Sequence, residues 1–193
     1  MIIVCTVESA EQALAEGQMG CPRSRCGGAL APWGYGRRRR VRGLEGHAID
    51  VRPRRVRCSG CGTTQILLPA ALQPRRADAT EVIGTALVRK AAGMGYRRIA
   101  IALGRSPSTV RRWLRRARDR GHLTRLWQRG AHELIRLDAD AFNRLASTGN
   151  LLRDALTVLA AAVWWARQRL DITEPVWTLI GLYTRGRLLA PPG

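Results

Sequence analysis

Two short segments in the middle of the chain carry the clearest pattern of apolar and polar positions. The first has apolar residues at i, i+3, i+4 and i+7, the spacing of one helix face: Tyr96, Ile99, Ala100 and Leu103. The second segment repeats this spacing with Val110, Trp113, Leu114 and Ala117. Its opposite face is polar and cationic, with Ser108, Arg111, Arg112, Arg115 and Arg116. The pattern predicts two amphipathic helices, of which the second has a basic free face.

The residues between these helices predict a tight turn. Gly104 stops the first helix, because a left-handed C-terminal turn costs glycine almost nothing. Ser106 offers its hydroxyl as N-cap of the second helix, and Pro107 fits the first helical position. This is typical of a helix-turn-helix, and the small Ala100 and apolar Val110 favour it over an ordinary hairpin with solvated arginines. The residues that we expect at DNA are Arg105, Ser106, Ser108, Thr109, Arg111, Arg112, Arg115 and Arg116.

Further helices are predicted on both sides of this motif. Asp78 starts one, with Glu81 three residues on as a partial capping box, and Gly93 and Gly95 end it. Together with the motif it makes a three-helix DNA-binding domain over residues 77–120. The C-terminal region, residues 121–193, is predicted to contain helices over residues 122–136, 138–146, 151–170 and 174–184.

The C-terminal helices carry more apolar surface than a single surface helix normally buries. One wide stripe consists of Leu151, Leu152, Ala155, Leu156, Val158, Leu159, Ala162, Val163, Trp165 and Ala166. This surface needs a partner layer, either other helices of the same chain or a second copy. Because one helix-turn-helix reads only a few base pairs, we expect a homodimer through residues 151–184.

Four of the five cysteines lie in two close pairs in the N-terminal part. Cys21 and Cys26 flank four residues, Cys58 and Cys61 flank two, and a glycine follows each pair. Two such pairs give the tetrahedral four-sulfur shell that Zn²⁺ prefers, whereas disulfides are rare in a reducing compartment. A redox-active CxxC would lie in a thioredoxin-like βαβ pattern, which the sequence lacks. We therefore predict one structural Zn²⁺ bound by these four cysteines.

The 31 residues between the two pairs leave room for two strands, over residues 29–42 and 48–57, with a third over 63–68. These strands and the metal predict a zinc ribbon, a small antiparallel sheet over residues 20–70. Residues 1–19 are expected to form a separate short strand and helix. Pro69 and Pro74, with two arginines, mark a linker to the helices. The predicted fold class is α+β, mostly α: ribbon, helix-turn-helix domain and C-terminal helical region.

The charge of the chain indicates a polyanionic partner. A formal net charge of +19 and a pI near 11.6 attract nucleic acid or an acidic membrane surface. Residues 37–57 and residues 97–129 are both rich in arginine, which suggests two contact surfaces. Arg37, Arg38, Arg39 and Arg40 should add sequence-independent affinity for DNA. Trp33 and Tyr35 beside them could stack unpaired RNA bases, although aromatics of a small ribbon more often form its core.

The sequence shows neither a secretion signal nor a membrane span. The N-terminus lacks a charged start followed by a cleavable apolar run. The uncharged, strongly apolar stretch over residues 155–166 has twelve residues, too few to cross a bilayer. We therefore expect a cytoplasmic, nucleoid-associated protein with no membrane partner, and no feature indicates a small-molecule substrate.

The order of these parts resembles a known group of proteins. The segments CPRSRCGG, PWGYGRRRR, RRVRCSGCGTT and GYRRIAIALGRSPSTVRRWLRRA follow one another over about residues 20–120. This order resembles the DNA-end-binding region of bacterial insertion-sequence transposases and, still more, small bacterial zinc-ribbon/helix-turn-helix proteins. The resemblance implies DNA binding, with the four paired cysteines as metal ligands and Arg111, Arg112 and Arg115 on the reading helix.

The chain departs from full transposases after the helix-turn-helix. Such enzymes need a large RNase-H-like domain with three spaced carboxylates, whereas the residues after 120 are predicted to be helical. We therefore expect a sequence-specific double-stranded DNA-binding protein and not an enzyme, either a transcription regulator or a mobile-element protein. The alternatives are a transposase or recombinase subunit that completes an active site with a partner, and an RNA-binding zinc-ribbon protein.

Overall fold

The computed structural model describes residues 1–191 and is an α+β fold, in which six strands lie in the first part of the chain. The strands are β1 (Ile2–Val4), β2 (Leu30–Tyr35), β3 (Arg39–Arg42), β4 (Ala48–Val51), β5 (Arg54–Cys58) and β6 (Thr64–Pro69). The helices are α1 (Val7–Ala15), α2 (Thr80–Ala91), α3 (Tyr96–Leu103), α4 (Pro107–Arg116), α5 (Arg120–Leu137), α6 (Ala139–Asn143), α7 (Leu151–Leu170) and α8 (Val176–Tyr183). In the described residues no helix is long and apolar enough to cross a membrane.

The N-terminal sheet is mixed, with strand order β1-β6-β5-β2. β2 and β6 pair antiparallel with β5, as predicted for a ribbon. β1 pairs parallel with β6, with Ile2 opposite Leu67 and Val4 opposite Pro69. The strand pairs within residues 20–70 are therefore antiparallel, and β1, from residues 1–19, adds to them in parallel beside the apolar β6. This pairing joins part of residues 1–19 to the ribbon sheet.

The two long strands predicted between the cysteine pairs are each broken in two. Residues 29–42 form β2 and β3, and residues 48–57 form β4 and β5, with β3 and β4 paired in a separate sheet. At the break, Gly36 donates its backbone N–H to the carbonyl of Pro53 at 2.7 Å. Pro53 has no N–H to offer a ladder, so regular pairing ends there. The β3–β4 hairpin is then free to leave the ribbon.

The β3–β4 hairpin packs into the core of the helical body. Val41 and Val51 belong to the large apolar core that also holds Ile99, Trp113 and Leu159. The ribbon has its own smaller core between the sheet and α1, built from Val4, Ala10, Leu14, Leu30, Val56, Cys58 and Leu67. The hairpin thus connects two units: a ribbon with little apolar core and a larger helical body.

The helix-turn-helix forms as the sequence predicts. Gly104 ends α3 in the left-handed conformation, with φ of 60° and ψ of 39°. The Ser106 side chain accepts a hydrogen bond from the Thr109 backbone N–H, and Pro107 occupies the first turn of α4. The apolar residues Val110, Trp113 and Leu114 face the core, as do the apolar residues of α3. The tight turn therefore holds α3 and α4 together as one unit.

The start of α2 differs from the prediction. We expected Asp78 to cap this helix with Glu81 in a capping box, but the N-cap is Ala79 and no side chain caps it. Asp78 is buried and accepts hydrogen bonds from Arg42 and Arg105 instead. Glu81 accepts a backbone N–H from Leu44 in the hairpin loop. The side chains of Asp78 and Glu81 therefore make long-range hydrogen bonds instead of capping α2.

The wide apolar stripe of α7 is covered by the same chain. Ala155, Leu159 and Val163 are buried in the core, where α5 and α8 pack against α7. At Gly130 of α5 the backbones come close, since an added Cβ would lie 3.0 Å from the Leu159 nitrogen. The observation that led us to expect a homodimer is therefore explained by an intramolecular bundle. The predicted linker is also packed, with Ala70, Leu72 and Gln73 buried.

Gly84 of α2 should resist substitution, because a Cβ there would overlap the indole ring of Trp177 on α8. We expect Gly84→Ala to lower the free energy of unfolding by about 1–3 kcal/mol through overpacking, despite the better helix propensity of alanine. Urea denaturation monitored by circular dichroism measures this. Gly95→Ala is the control, because its Cβ would meet no atom within 4 Å. Equal stability of Gly84→Ala and the parent would contradict this close packing of α2 and α8.

Candidate metal centre and nucleic-acid interface

The four paired cysteines converge at one end of the ribbon. Their Sγ atoms all lie within 4.8 Å of one another. The Sγ atoms of Cys21 and Cys61 are 3.8 Å apart, and those of Cys26 and Cys58 are 3.5 Å apart. A tetrahedral shell with Zn–S bonds of about 2.3 Å has sulfur–sulfur edges of about 3.8 Å. The four predicted ligands therefore stand close enough to hold one metal ion between them.

The backbone of both cysteine pairs is folded to present N–H groups to the sulfurs. Gly27 and Gly62, which follow the pairs, adopt left-handed φ values of 61° and 69°. The backbone N–H two residues after each cysteine points toward its sulfur: Arg23 to Cys21, Gly28 to Cys26, Gly60 to Cys58 and Thr63 to Cys61. Such donors stabilise thiolates, the form of cysteine that binds metals.

The four thiols do not titrate alike. The hydroxyl and backbone N–H of Thr63 lower the pKa of Cys61 to about 5. The backbone N–H of Cys61 is the main reason that the pKa of Cys58 is also lowered. The N–H of Arg23 lowers the pKa of Cys21, but burial and the neighbouring thiols outweigh it and raise the pKa to about 11. Two sulfurs thus favour the anionic form, and a cation between them would favour it in the others.

Gly28 shows how closely the backbone surrounds the sulfurs. A Cβ at this position would lie 2.7 Å from the Cys58 Sγ and 2.8 Å from the backbone nitrogen of Gly60. Both distances are shorter than van der Waals contact, so no other residue fits without displacing the second pair. The donor set, its spacing and this close backbone all fit a small soft cation, and they are compatible with structural zinc.

The second candidate surface is the free face of α4. Four of its predicted DNA-binding residues are exposed, namely Ser108, Arg111, Arg112 and Arg115, while Arg116 is half-buried. A groove runs beside this face, between α4 and the junction of α2 with α3. Its lining adds three polar side chains that the sequence analysis had not assigned to DNA contacts: Lys90, Tyr96 and Arg118. The structure therefore gathers the α4 arginines into one basic groove.

Two of the turn residues, Arg105 and Ser106, make side-chain contacts within the protein. The side chain of Arg105 is only 10% exposed, and its Nε donates to Asp78 at 2.6 Å. One of its terminal nitrogens donates to the carbonyl of Gly43 at 2.6 Å. The Ser106 hydroxyl is engaged with Thr109 at 2.9 Å. The guanidinium of Arg105 is thus used inside the protein, where it ties the β3–β4 hairpin to the helix-turn-helix turn.

The arginine run before β3 is divided between two environments. Arg37, Arg38 and Arg40 are exposed, and Arg38 forms an open ion pair with Asp50 at 3.8 Å. Arg39 is half-buried and donates to the carbonyl of Arg76 at 2.5 Å. Three of the four predicted side chains therefore remain open to an external anion, and one helps to fix the hairpin on the helical body.

Comparison with known proteins gives a match over the helix-turn-helix region of the chain. A family model described as a homeodomain-like domain matches residues 83–127, which cover α3, α4, most of α2 and the beginning of α5. Neither a curated protein nor a solved structure matches the chain. The protein therefore contains a homeodomain-like helix-turn-helix, and this supports a DNA-binding role for the surface that α4 presents.

The buried Asp78 should be far more important for stability than an exposed aspartate. Asp78→Asn leaves the buried guanidinium of Arg105 without its counter-charge, so we expect a loss of about 3 kcal/mol in the free energy of unfolding. Asp50→Asn, which breaks an exposed pair with Arg38, should cost less than about 1 kcal/mol. Urea denaturation of both variants compares the two. Similar losses in the two variants would show that Asp78 does not hold the hairpin.

Proposed function

We propose that the protein binds a specific sequence of double-stranded DNA through α4 and carries no catalytic domain of its own. The observation that supports this most directly is the exposed basic face of α4, on a helix-turn-helix that matches a homeodomain-like family model. A helix of this kind enters the major groove, which is about 12 Å wide, with its N-terminal residues nearest the bases.

The side chains divide into base-reading and positioning groups. Ser108 lies in the first turn of α4 and Arg112 four residues later on the same exposed face, so we assign them to bases, with Arg111 and Arg115 at bases or phosphates. The flanking groove, with Lys90, Tyr96 and Arg118, suits a DNA phosphate. Arg105 acts indirectly in this proposal, by fixing the turn that aims α4. Arg37, Arg38 and Arg40 would add contacts to the DNA backbone.

We infer that the four cysteines bind one structural Zn²⁺. The ribbon core is small, and its two cysteine pairs come from segments separated by 31 residues. A metal that links them contributes folding free energy that so small a core cannot supply. In this role the ion fixes the strands and leaves the DNA contacts to the arginines.

A regulator or mobile-element binding protein accords better with the acidic residues than a catalytic subunit does. Asp138 caps α6 and pairs with Arg169 at 2.7 Å, and the Ala141 N–H lowers its pKa. Asp154 accepts hydrogen bonds from the hydroxyls of Ser147 and Thr148, which lower its pKa. These carboxylates have local structural partners. Sequencing the DNA bound by the protein across its genome would separate promoters from mobile-element ends.

The homodimer through residues 151–184 stays a prediction. Because α5 and α8 already cover the apolar stripe of α7, a second copy would have to use other side chains of this region. Sedimentation velocity at micromolar concentration, with and without duplex DNA, measures the mass directly. A twofold mass would support the dimer, and the mass of one chain in both conditions would refute it.

The purified protein should contain one Zn²⁺ per chain. Cys58→Ser removes a ligand of this four-sulfur shell, so we expect loss of most of the zinc and unfolding of the ribbon. Elemental analysis and circular dichroism report the two effects. Cys5→Ser is the matched control, because the Cys5 thiol lies outside the cluster and contacts Glu174. Full zinc content in Cys58→Ser, or none in the parent, would overturn the zinc assignment.

The α4 arginines should dominate duplex binding. Arg112→Ala is expected to weaken binding to a selected duplex by about 1–3 kcal/mol and to relax base preference, whereas loss of a phosphate contact mainly reduces the salt dependence. Gel shifts at several salt concentrations on selected DNA test this. Arg136→Ala removes the same charge from an exposed site at the far end of α5 and should bind like the parent. If both variants bind equally well, α4 is not the reading helix.

A further inference from the structure

Two aromatic side chains of the ribbon are about half exposed and lie outside its apolar core. Trp33 and Tyr35 on β2 are 52% and 46% exposed. The sequence left open that they form the ribbon core, but Leu30, Val56 and Leu67 fill that core together with α1. Exposed large aromatics remain costly unless something covers them. Their position therefore needs an explanation outside the folding of the ribbon.

Arginines are stacked on both rings. The guanidinium carbon of Arg57 lies 4.6 Å from the ring centroid of Trp33, and those of Arg54 and Arg52 lie 4.5 and 5.1 Å from that of Tyr35. Such cation–π contacts orient the rings and leave guanidinium N–H groups at their rims. Opposed residues of antiparallel strands share a face, so Tyr35 and Arg54 lie on the face of Val56, towards α1, whereas Trp33 and Arg57 lie on the other face. We call Trp33 with the donors of Arg57 the aromatic–arginine face of the ribbon.

This face is held in place by the second cysteine pair. The Nε of Arg57 donates to the carbonyl of Gly62 at 3.3 Å, directly after Cys61. On the other face of the sheet, Arg54 forms an ion pair with Glu11 of α1 at 3.2 Å. Because Arg57 covers one side of the indole while half of the Trp33 side chain stays exposed, the other side of the ring remains open to a ligand.

The neighbourhood of this face is strongly cationic. Arg37, Arg38 and Arg40 lie exposed just beyond the end of β2, and Arg52 lies just before β5. Among these arginines, Arg38 forms an ion pair with Asp50. Stacking platforms inside a positive surface are the combination by which proteins bind single-stranded nucleic acid, since every base has a flat face and every nucleotide has a phosphate.

The strand itself is poorly suited to a peptide ligand. β2 is the edge of the sheet, but Pro32 lacks an N–H and the pairing with β5 is irregular between Pro32 and Tyr35. Gly34 at this irregularity has a φ of 94°. These features block the addition of a further strand, the usual mode of peptide binding at an edge. The charge and the aromatics then favour a polyanion with flat groups.

We propose that the aromatic–arginine face binds an unpaired base of single-stranded DNA, stacked on the open side of Trp33, with Arg57 at a neighbouring phosphate. The choice of DNA over RNA rests on the proposed duplex binding by α4. The protein would then hold duplex DNA on the helices and an unpaired strand on the ribbon.

Fluorescence anisotropy with short labelled probes tests this on the full-length, zinc-loaded protein. The probes are an oligothymidylate, an abasic deoxyribose-phosphate oligomer of equal length, an oligouridylate and the selected duplex. We expect the oligothymidylate to bind at least about fivefold more tightly than the abasic oligomer, because stacking adds to charge attraction. Trp33→Ala should weaken oligothymidylate binding at least about fivefold while it leaves the zinc content and duplex binding unchanged.

Trp164→Ala is the matched control, because Trp164 is equally exposed, at 55%, but lies on α7. It should bind the oligothymidylate like the parent. The proposal fails if the oligothymidylate and the abasic oligomer bind alike, or if the Trp33 and Trp164 variants lose equal affinity. Tighter binding of the oligouridylate would replace DNA by RNA as the ligand and so overturn the DNA assignment. Arg112→Ala should weaken the duplex alone, which separates a failure of this face from a failure of α4.

Discussion

A single buried carboxylate holds the parts of this protein in their relative positions. Asp78 receives Arg105 from the helix-turn-helix turn at 2.6 Å and Arg42 from β3 at 2.9 Å. Backbone hydrogen bonds between Arg42 and residues 77 and 79 strengthen the same junction. A buried carboxylate is stable only with cationic partners, and the buried guanidinium of Arg105 likewise requires this counter-charge. The hairpin, the start of α2 and the turn before α4 therefore stay together or separate together.

This junction has a consequence for how the two basic surfaces cooperate. The β3–β4 hairpin leaves the ribbon at Gly36 and Pro53 and ends in the core of the helical body. The ribbon is consequently joined to the helix-turn-helix by packed apolar residues and a buried ion pair, on top of the covalent chain. A ligand that spans α4 and the ribbon would meet a preset geometry, and less conformational entropy would be lost on binding.

The C-terminal helices stabilise this arrangement from behind. α8 lies against α2 where Gly84 leaves room for the Trp177 ring, and Gly181 lies against the carbonyl of Ala70. The segment after α8 returns to the same place, because Leu188 is buried and its N–H donates to Gln73. The helices that bear the apolar stripe thus complete the core that the three-helix domain alone would leave open.

The sequence alone determined those features that depend on neighbouring residues. The α3–α4 turn is encoded by Gly104, Ser106 and Pro107, and the helix bounds follow from apolar spacing within a few residues. The cysteine spacing indicated the sulfur cluster, because each pair is a local turn. These features need no knowledge of what packs against them, and they account for the parts of the site that could be predicted.

Only the tertiary structure decided the features that depend on distant partners. The role of Asp78 changed from helix cap to ion-pair centre because Arg42 and Arg105 approach it from two other elements. Arg105, which we expected at DNA, is engaged with Asp78 for the same reason. Trp33 became exposed because α1 and β1, which lie earlier in the chain, supply the ribbon core. The apolar spacing in α7 indicates that one face of the helix is buried, but it does not indicate which surface covers that face. Only the tertiary structure shows that α5 and α8 of the same chain cover it.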